Sequence, residues 1–156
     1  MNLSLCLEMV FPEIPFEDRL AEAARLGWRA VEFWDWRDKD IDRVASEARR
    51  LGLRIAAISG NRRHSLIDPD ARAGLIAEMR QVLDAAARLG CRNIMMLSDV
   101  LERDGSAAPP PDLPEEDKRR SIVDGLRVLA ALGTETTLLL EPLNTVLDHR
   151  GCFLAT

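Results

Sequence analysis

The dipeptide Leu-Gly recurs four times along this sequence, each time at the end of a stretch in which apolar residues have helical spacing. The four copies begin at Leu26, Leu51, Leu89 and Leu132. Glycine at such a position can adopt the left-handed conformation that ends a helix. A short apolar run follows each copy within a few residues, which is typical of a buried β-strand. The repeat therefore predicts helices that alternate with strands.

Five strands and four helices follow from this pattern. Asp40 precedes the second helix, Asp68 caps the third with Pro69 at its first position, and Pro114 opens the fourth. The first helix has Phe16 and Leu20 on its apolar face. The order β-α-β-α-β-α-β-α-β implies the α/β class, with a parallel sheet and right-handed crossovers. The predicted strands are Leu3–Val10, Ala30–Trp36, Leu53–Ser59, Asn93–Leu97 and Thr137–Glu141.

Two architectures satisfy this order of elements. One is a flavodoxin-like open parallel sheet, which binds its ligand where the strand order reverses. The other is the N-terminal part of a (β/α)8 barrel, because a complete barrel takes about 250 residues and 156 residues supply about four and a half βα units. Periodicity cannot separate the two, and the chain length by itself favours the open sheet.

Composition and motifs argue against several classes of function. The net charge of -5 and the pI near 5.1 argue against a nucleic-acid partner, which requires clustered Lys and Arg. The three widely spaced cysteines fit reduced thiols in a cytoplasmic protein. No apolar run approaches the roughly 18 residues of a membrane helix, and the N-terminus does not resemble a signal peptide. The sequence also lacks GxGxxG and GxxxxGK[ST], so a nucleotide site has no motif to support it.

Polar and aromatic side chains follow the predicted strands, at the edge where parallel sheets carry their functional residues. Glu141, after strand five, either binds a cation or moves a proton, or is a solvated acid at a strand end. Trp34 and Trp36 alternate along strand two, so they share a face, as hydrophobic packing or as a wall for a small polyol. The later loops add His64, Asn144 and His149 as candidate substrate contacts, although a solvent-exposed loop is the more common explanation for either histidine.

Two segments resemble the xylose isomerase-like TIM-barrel superfamily, in particular its hydroxypyruvate isomerase and inosose isomerase group. The first is residues 31–40, Val-Glu-Phe-Trp-Asp-Trp-Arg-Asp-Lys-Asp, and the second is Glu-Pro-Leu-Asn at 141–144 with Asp-His-Arg-Gly-Cys at 148–152. The family usually has Pro and Tyr where this chain has Arg150 and Cys152. The resemblance covers the chain in order and spacing. It reverses the preference for an open sheet and implies one partial TIM-barrel domain over residues 1–156, ending near the start of the fifth helix.

The resemblance also implies a chemistry. Glu141 would be a metal ligand and an acid or base in an isomerase that moves a proton through an enediolate, on a small sugar or a hydroxy-keto acid. The family's divalent ion would be Mg, Mn, Co or Zn. Its other ligands belong to later strands, so we expect weak or absent metal binding and little activity in this chain alone. The alternative is a non-catalytic remnant, or a half-barrel that pairs with another chain, for example as a homodimer through its open edges.

Overall fold

A computed structural model describes residues 2–133 and 135–155. In this part of the chain strands alternate with helices, and the five strands form one sheet in which they lie in chain order. The strands are β1 (Leu5–Cys6), β2 (Ala30–Phe33), β3 (Arg54–Ser59), β4 (Asn93–Met96) and β5 (Thr137–Leu140). The helices are α1 (Phe16–Arg25), α2 (Ile41–Arg50), α3 (Arg72–Leu89) and α4 (Glu115–Ala130).

The strand order decides between the two architectures. Each strand is hydrogen-bonded to the strands that precede and follow it in the chain, and the β1–β2 and β2–β3 pairs are parallel. A flavodoxin-like sheet requires β1 between β2 and β3. The open-sheet alternative is therefore wrong. Sequential order is that of consecutive βα units of a (β/α)8 barrel, so the predicted α/β fold class is confirmed.

Helix boundaries follow from local chemistry in most places. The Asp40 carboxylate accepts a hydrogen bond of 3.1 Å from the backbone N–H of Arg43, which caps α2 as predicted. Gly27, Gly52 and Gly90 have positive φ angles after α1, α2 and α3. The predicted start of α3 is wrong, because the helix begins at Arg72 and not after Asp68. The Asp68 carboxylate instead accepts from the N–H of Asp70 at 2.9 Å, which closes a turn before the helix.

The first and second strands are shorter than predicted. Strand β1 ends at Cys6, where the backbone turns and the N–H of Met9 donates to the carbonyl of Cys6 at 3.2 Å. Strand β2 ends at Phe33, and the Asp35 carboxylate accepts from the N–H of Arg37 at 3.1 Å just beyond it. Trp34 and Trp36 therefore follow the strand, and the prediction that they alternate along it is wrong.

The chain divides into two compact units, one of residues 2–59 and 83–94 and the other of 60–82, 95–133 and 135–155. In the first unit, Leu20, Val31 and Ile58 are fully buried, and the Phe16 and Phe33 rings meet edge to face with centroids 5.4 Å apart. The second unit has its own core, formed mainly by aliphatic side chains and methionines. These are Leu66, Ile67, Leu75, Met79, Met96 and Leu129.

Candidate functional site

Glu141 lies directly after β5 in the second unit. Its backbone N–H donates to the carbonyl of Met96, the last residue of β4, at 3.0 Å. This bond fixes the backbone of Glu141 beside the carboxyl end of β4. The side chain is half-buried. A carboxylate is thus placed where parallel α/β sheets carry their chemistry.

The segment that follows Glu141, residues 142–155, is fixed by side chains at the end of β4. The Asp99 carboxylate accepts from the N–H of Phe153 at 2.8 Å and from the Ser98 hydroxyl at 2.5 Å. The Ser98 hydroxyl oxygen in turn accepts from the N–H of Leu154 at 3.2 Å. Local sequence patterns do not reveal this role of Asp99, because the backbone N–H that it accepts from lies 54 residues away.

A small apolar cluster also packs against the segment of residues 142–155. Leu97, Leu143 and Cys152 are buried together, with Leu101 and Ala107 packed against them. Burial and the negative charge of Asp99 raise the pKa of the Cys152 thiol to about 11. At neutral pH Cys152 is therefore a protonated, apolar part of this cluster and not a nucleophile.

Asn144 and His149 lie in the segment after β5, and both take part in its turns. The Asn144 side-chain oxygen accepts from the N–H groups of Val146 at 3.0 Å and Leu147 at 3.3 Å. The His149 Nδ1 lies 2.9 Å from the carbonyl of Gly105, which only a protonated Nδ1 can satisfy. Nε2 is then the nitrogen that can accept a proton. That Asn144 and His149 contact a substrate stays a prediction.

His64 is held by a buried carboxylate that sequence analysis did not single out. Its Nδ1 lies 3.0 Å from Glu78 Oε2, and Glu78 Oε1 accepts from the N–H groups of Arg62 at 2.9 Å and Arg63 at 3.2 Å. Glu78 shares the buried face of α3 with Leu75 and Val82, at spacings of three and four residues. This helical periodicity is the sequence signal that could have identified Glu78 as a buried acid. The prediction that His64 contacts a substrate is neither supported nor contradicted by these bonds.

Trp34 and Trp36 lie in the first unit, in the loop after β2. The carbonyl of Trp34 accepts from the N–H of Ser59 at 3.1 Å, and the Arg37 guanidinium lies 5.3 Å from the centre of the Trp36 ring. The indole Nε1 of Trp36 is shielded from solvent and has no acceptor among the described residues. A buried N–H of this kind costs free energy unless a water or a ligand satisfies it.

The same loop contains an ion pair that the sequence did not predict. Lys39 Nζ lies 3.1 Å from Glu8 Oε1 and 4.6 Å from the centre of the Phe16 ring. It also donates to the carbonyl of Asp35 and to the Asp38 carboxylate. The pair joins the loop after β2 to the loop after β1.

The described residues do not form a divalent-metal site. No group of three or more His, Cys, Asp or Glu side chains in that part of the chain could hold an ion. Glu141 supplies one carboxylate, whereas Mg²⁺, Mn²⁺ and Zn²⁺ each require several protein ligands for tight binding. The described residues therefore do not provide the ligands that the divalent ion expected for this family requires.

No helix in residues 2–133 or 135–155 has both the length and the apolar character that a membrane span requires.

The sequential order of the βα units is that of a TIM barrel, and Glu141 follows its fifth strand. The family model described as "Xylose isomerase-like TIM barrel" matches residues 20–155, and the chain belongs to this family. The family is generally metal-dependent. The predicted membership of the superfamily is thus confirmed. No curated protein matches the sequence.

Solved structures with the same fold include a family 2 AP endonuclease from Brucella melitensis, at 24% identity and a TM-score of 0.80. A 3-keto-D-glucoside 4-epimerase from E. coli matches at 22% identity with a TM-score of 0.70. A D-psicose 3-epimerase from Clostridium cellulolyticum matches at 16% identity with a TM-score of 0.72. These alignments cover 92%, 92% and 93% of this chain, but only 56%, 57% and 53% of the other chains. The chain therefore spans about half the length of the structures it resembles.

Proposed function

We propose that this chain is part of a sugar isomerase or epimerase of the hydroxypyruvate isomerase type. The observation that carries the proposal is the position of Glu141, directly after β5 and bonded through its backbone to the end of β4. Two of the similar structures are named as sugar epimerases, and this supports a small sugar or hydroxy-keto acid as substrate.

The proposed chemistry is transfer of a proton between neighbouring carbons. Glu141 removes a proton from the carbon next to a carbonyl and returns it to the adjacent carbon, by way of an enediolate. His149 is suited to move a proton to or from an oxygen, since its Nδ1 is held by Gly105. Trp34, Trp36, His64 and Asn144 are proposed as substrate contacts.

We further propose that the 156-residue chain does not complete this site by itself. A divalent ion of the family would need ligands beyond the one carboxylate that Glu141 supplies. Metal binding to the isolated chain is then weak, and so is catalysis. Two of the similar structures are almost twice as long as this chain, which supports the proposal that a complete site needs residues beyond those of this chain.

A second candidate is a non-catalytic half-barrel that pairs with another chain. It is favoured by the position of β5 at the end of the sheet and by the exposure of Leu139 within it. A nuclease function has less support, although one similar structure is named as an AP endonuclease, because the net charge of -5 repels a phosphate backbone. The three free thiols fit a cytoplasmic location for either candidate.

Turnover of hydroxypyruvate in D2O, followed by proton NMR with Mn²⁺ or Mg²⁺ present, tests the proposal. We expect no measurable isomerisation or deuterium incorporation by the chain alone. Turnover that Glu141→Gln abolishes and Asp148→Asn preserves would mean that the site is completed, for example across a dimer. Turnover that survives Glu141→Gln would contradict the proposed role of Glu141. Asp148 is an exposed carboxylate in the same segment, so Asp148→Asn serves as the matched control.

A further inference from the structure

The Leu-Gly repeat is part of a longer motif that the proposed function does not use. Three of its four copies continue as Leu-Gly-x-Arg, which places an arginine at Arg29, Arg54 and Arg92. Each arginine lies where a strand begins, directly before β2, at the first residue of β3 and directly before β4. Because these strands are neighbours in one parallel sheet, the three arginines follow its amino edge within the first unit.

An open cavity of about 310 Å³ lies at this edge of the first unit. Arg29 and Arg54 both line it, and their backbones are adjacent, because the N–H of Arg54 donates to the carbonyl of Arg29 at 3.0 Å. Arg92 is not among the lining residues. The other residues of the lining are Asn2, Leu3, Leu26, Gly27, Trp28 and Ala30.

The two arginines of the cavity lack a counterion in the described part of the chain. Arg25 and Arg50, at the ends of α1 and α2, each pair with a glutamate three residues earlier in the same helix. Arg29 and Arg54 form no ion pair with a described residue, and the cavity lining contains no Asp or Glu. Both side chains are exposed, so an anion in solvent can reach them. The cavity is therefore positively charged, although the chain has a net charge of -5.

The cavity also presents apolar surface to solvent. Leu3 is 57% exposed and Leu26 is 51% exposed, and the partly exposed Trp28 lines the cavity with them. Neighbouring strands lie about 4.8 Å apart, so guanidinium groups at adjacent strand starts suit two carboxylates joined by a short methylene chain. A phosphate ion concentrates its charge on one centre and leaves the apolar lining uncovered. The combination of charge and apolar surface favours a dicarboxylate.

We propose that this cavity binds a small aliphatic dicarboxylate. One carboxylate pairs with the Arg29 guanidinium and the other with that of Arg54. The methylene chain between them covers the exposed side chains of Leu3 and Leu26. The site is separate from that of the proposed function, because none of the residues assigned to that function lines this cavity. The competing explanation is that the arginines only offset the negative carbonyl ends of α1 and α2.

Two-dimensional NMR of the ¹⁵N-labelled chain at low ionic strength distinguishes these explanations with three probes. Glutarate has two carboxylates on a methylene chain, pentanoate has one, and phosphate has charge without the chain. We expect glutarate to shift the indole N–H of Trp28 and the amides of residues 26–30 and 54–55, with a Kd on the order of millimolar. Pentanoate and phosphate should each bind about tenfold more weakly. Equal affinity for phosphate and glutarate, or no shifts from glutarate at tens of millimolar, would overturn the proposal.

The three copies of the motif supply matched variants, since each removes one exposed positive charge from the same edge of the sheet. Arg29→Gln and Arg54→Gln should each weaken glutarate binding about tenfold. Arg92→Gln should leave it unchanged, because Arg92 does not line the cavity. An equal loss in all three variants would show general attraction to a basic edge and contradict the proposal. Glu141→Gln should leave glutarate binding intact, so failure of this proposal and failure of the proposed function are distinguishable.

Discussion

At the scale of single residues, the ion pair of Lys39 and Glu8 shows how the loops of the first unit are held. The Lys39 side chain is 8% exposed and that of Glu8 is 19% exposed, so neither charge is well hydrated. The pair therefore depends on mutual attraction and on the Phe16 ring against which Lys39 lies. Removal of Lys39 leaves the Glu8 carboxylate buried without its partner, whereas Lys39 would keep its bonds to Asp35 and Asp38 if Glu8 were removed.

Replacement of Lys39 by Met should lower the free energy of unfolding by about 2–4 kcal/mol, because Glu8 then keeps a buried, unpaired carboxylate. Urea denaturation followed by circular dichroism measures the change. The double variant Glu8→Gln/Lys39→Met should regain part of the loss, since it removes both charges. Arg25→Met, which breaks the exposed pair with Glu22, should have no measurable effect. A Lys39→Met chain as stable as the native one would show that the pair is not structural.

At the scale of elements, α3 determines how His64 is oriented. Glu78 on this helix bonds His64 Nδ1, and the ring lies against Gly74 one turn earlier. A Cβ added at Gly74 would overlap the imidazole ring. Glycine is unfavourable inside a helix by about 0.5–1 kcal/mol relative to alanine, so its presence here follows from packing and not from helix propensity.

Replacement of Gly74 by Ala should therefore destabilise the native chain by about 1–2 kcal/mol, because overpacking exceeds the gain in helix propensity. In a His64→Ala background the same substitution should become stabilising, since the overlap is gone. The two unfolding free energies form a double-mutant cycle, and a change of sign between backgrounds is the expected result. A stabilising Gly74→Ala in the native chain would contradict the packing described for His64.

Element order and the positions of helices were predictable because they depend on local signals. Gly27, Gly52 and Gly90 end helices as the Leu-Gly repeat indicated, and Asp40 caps α2. The end of β2 was not predictable, because Trp34 and Trp36 have high strand propensity although a turn at Asp35 follows Trp34 directly. Contacts between residues far apart in sequence were also missed, because single-sequence patterns carry no record of them. These are Glu8–Lys39, His64–Glu78 and Asp99–Phe153.

At the scale of the whole molecule, β5 ends the described sheet and presents apolar surface. Leu139 lies exposed within this strand, and Val146 and Leu147 in the following segment are 80% and 74% exposed. An edge strand with unpaired backbone groups and apolar side chains favours association with another chain. A homodimer through such edges was expected from the sequence and stays a prediction.

Light scattering at low micromolar concentration should detect dimers or larger species in place of a 17.4 kDa monomer. Leu139→Lys should shift the population towards the monomer, because a charge on an edge strand opposes pairing. Leu26→Lys, at an exposed apolar residue of the first unit, is the control and should leave the distribution unchanged. A monodisperse monomer with a sharp cooperative melt would contradict the prediction.

Calorimetric titration of the chain with Mn²⁺ tests most directly the proposal that the Glu141 carboxylate is a metal ligand. A single carboxylate ligand should give a Kd on the order of millimolar. Binding should be lost in Glu141→Gln and retained in Asp148→Asn. Micromolar affinity would contradict the conclusion that the described residues lack a metal site, and millimolar affinity that Glu141→Gln leaves unchanged would contradict the assignment to Glu141.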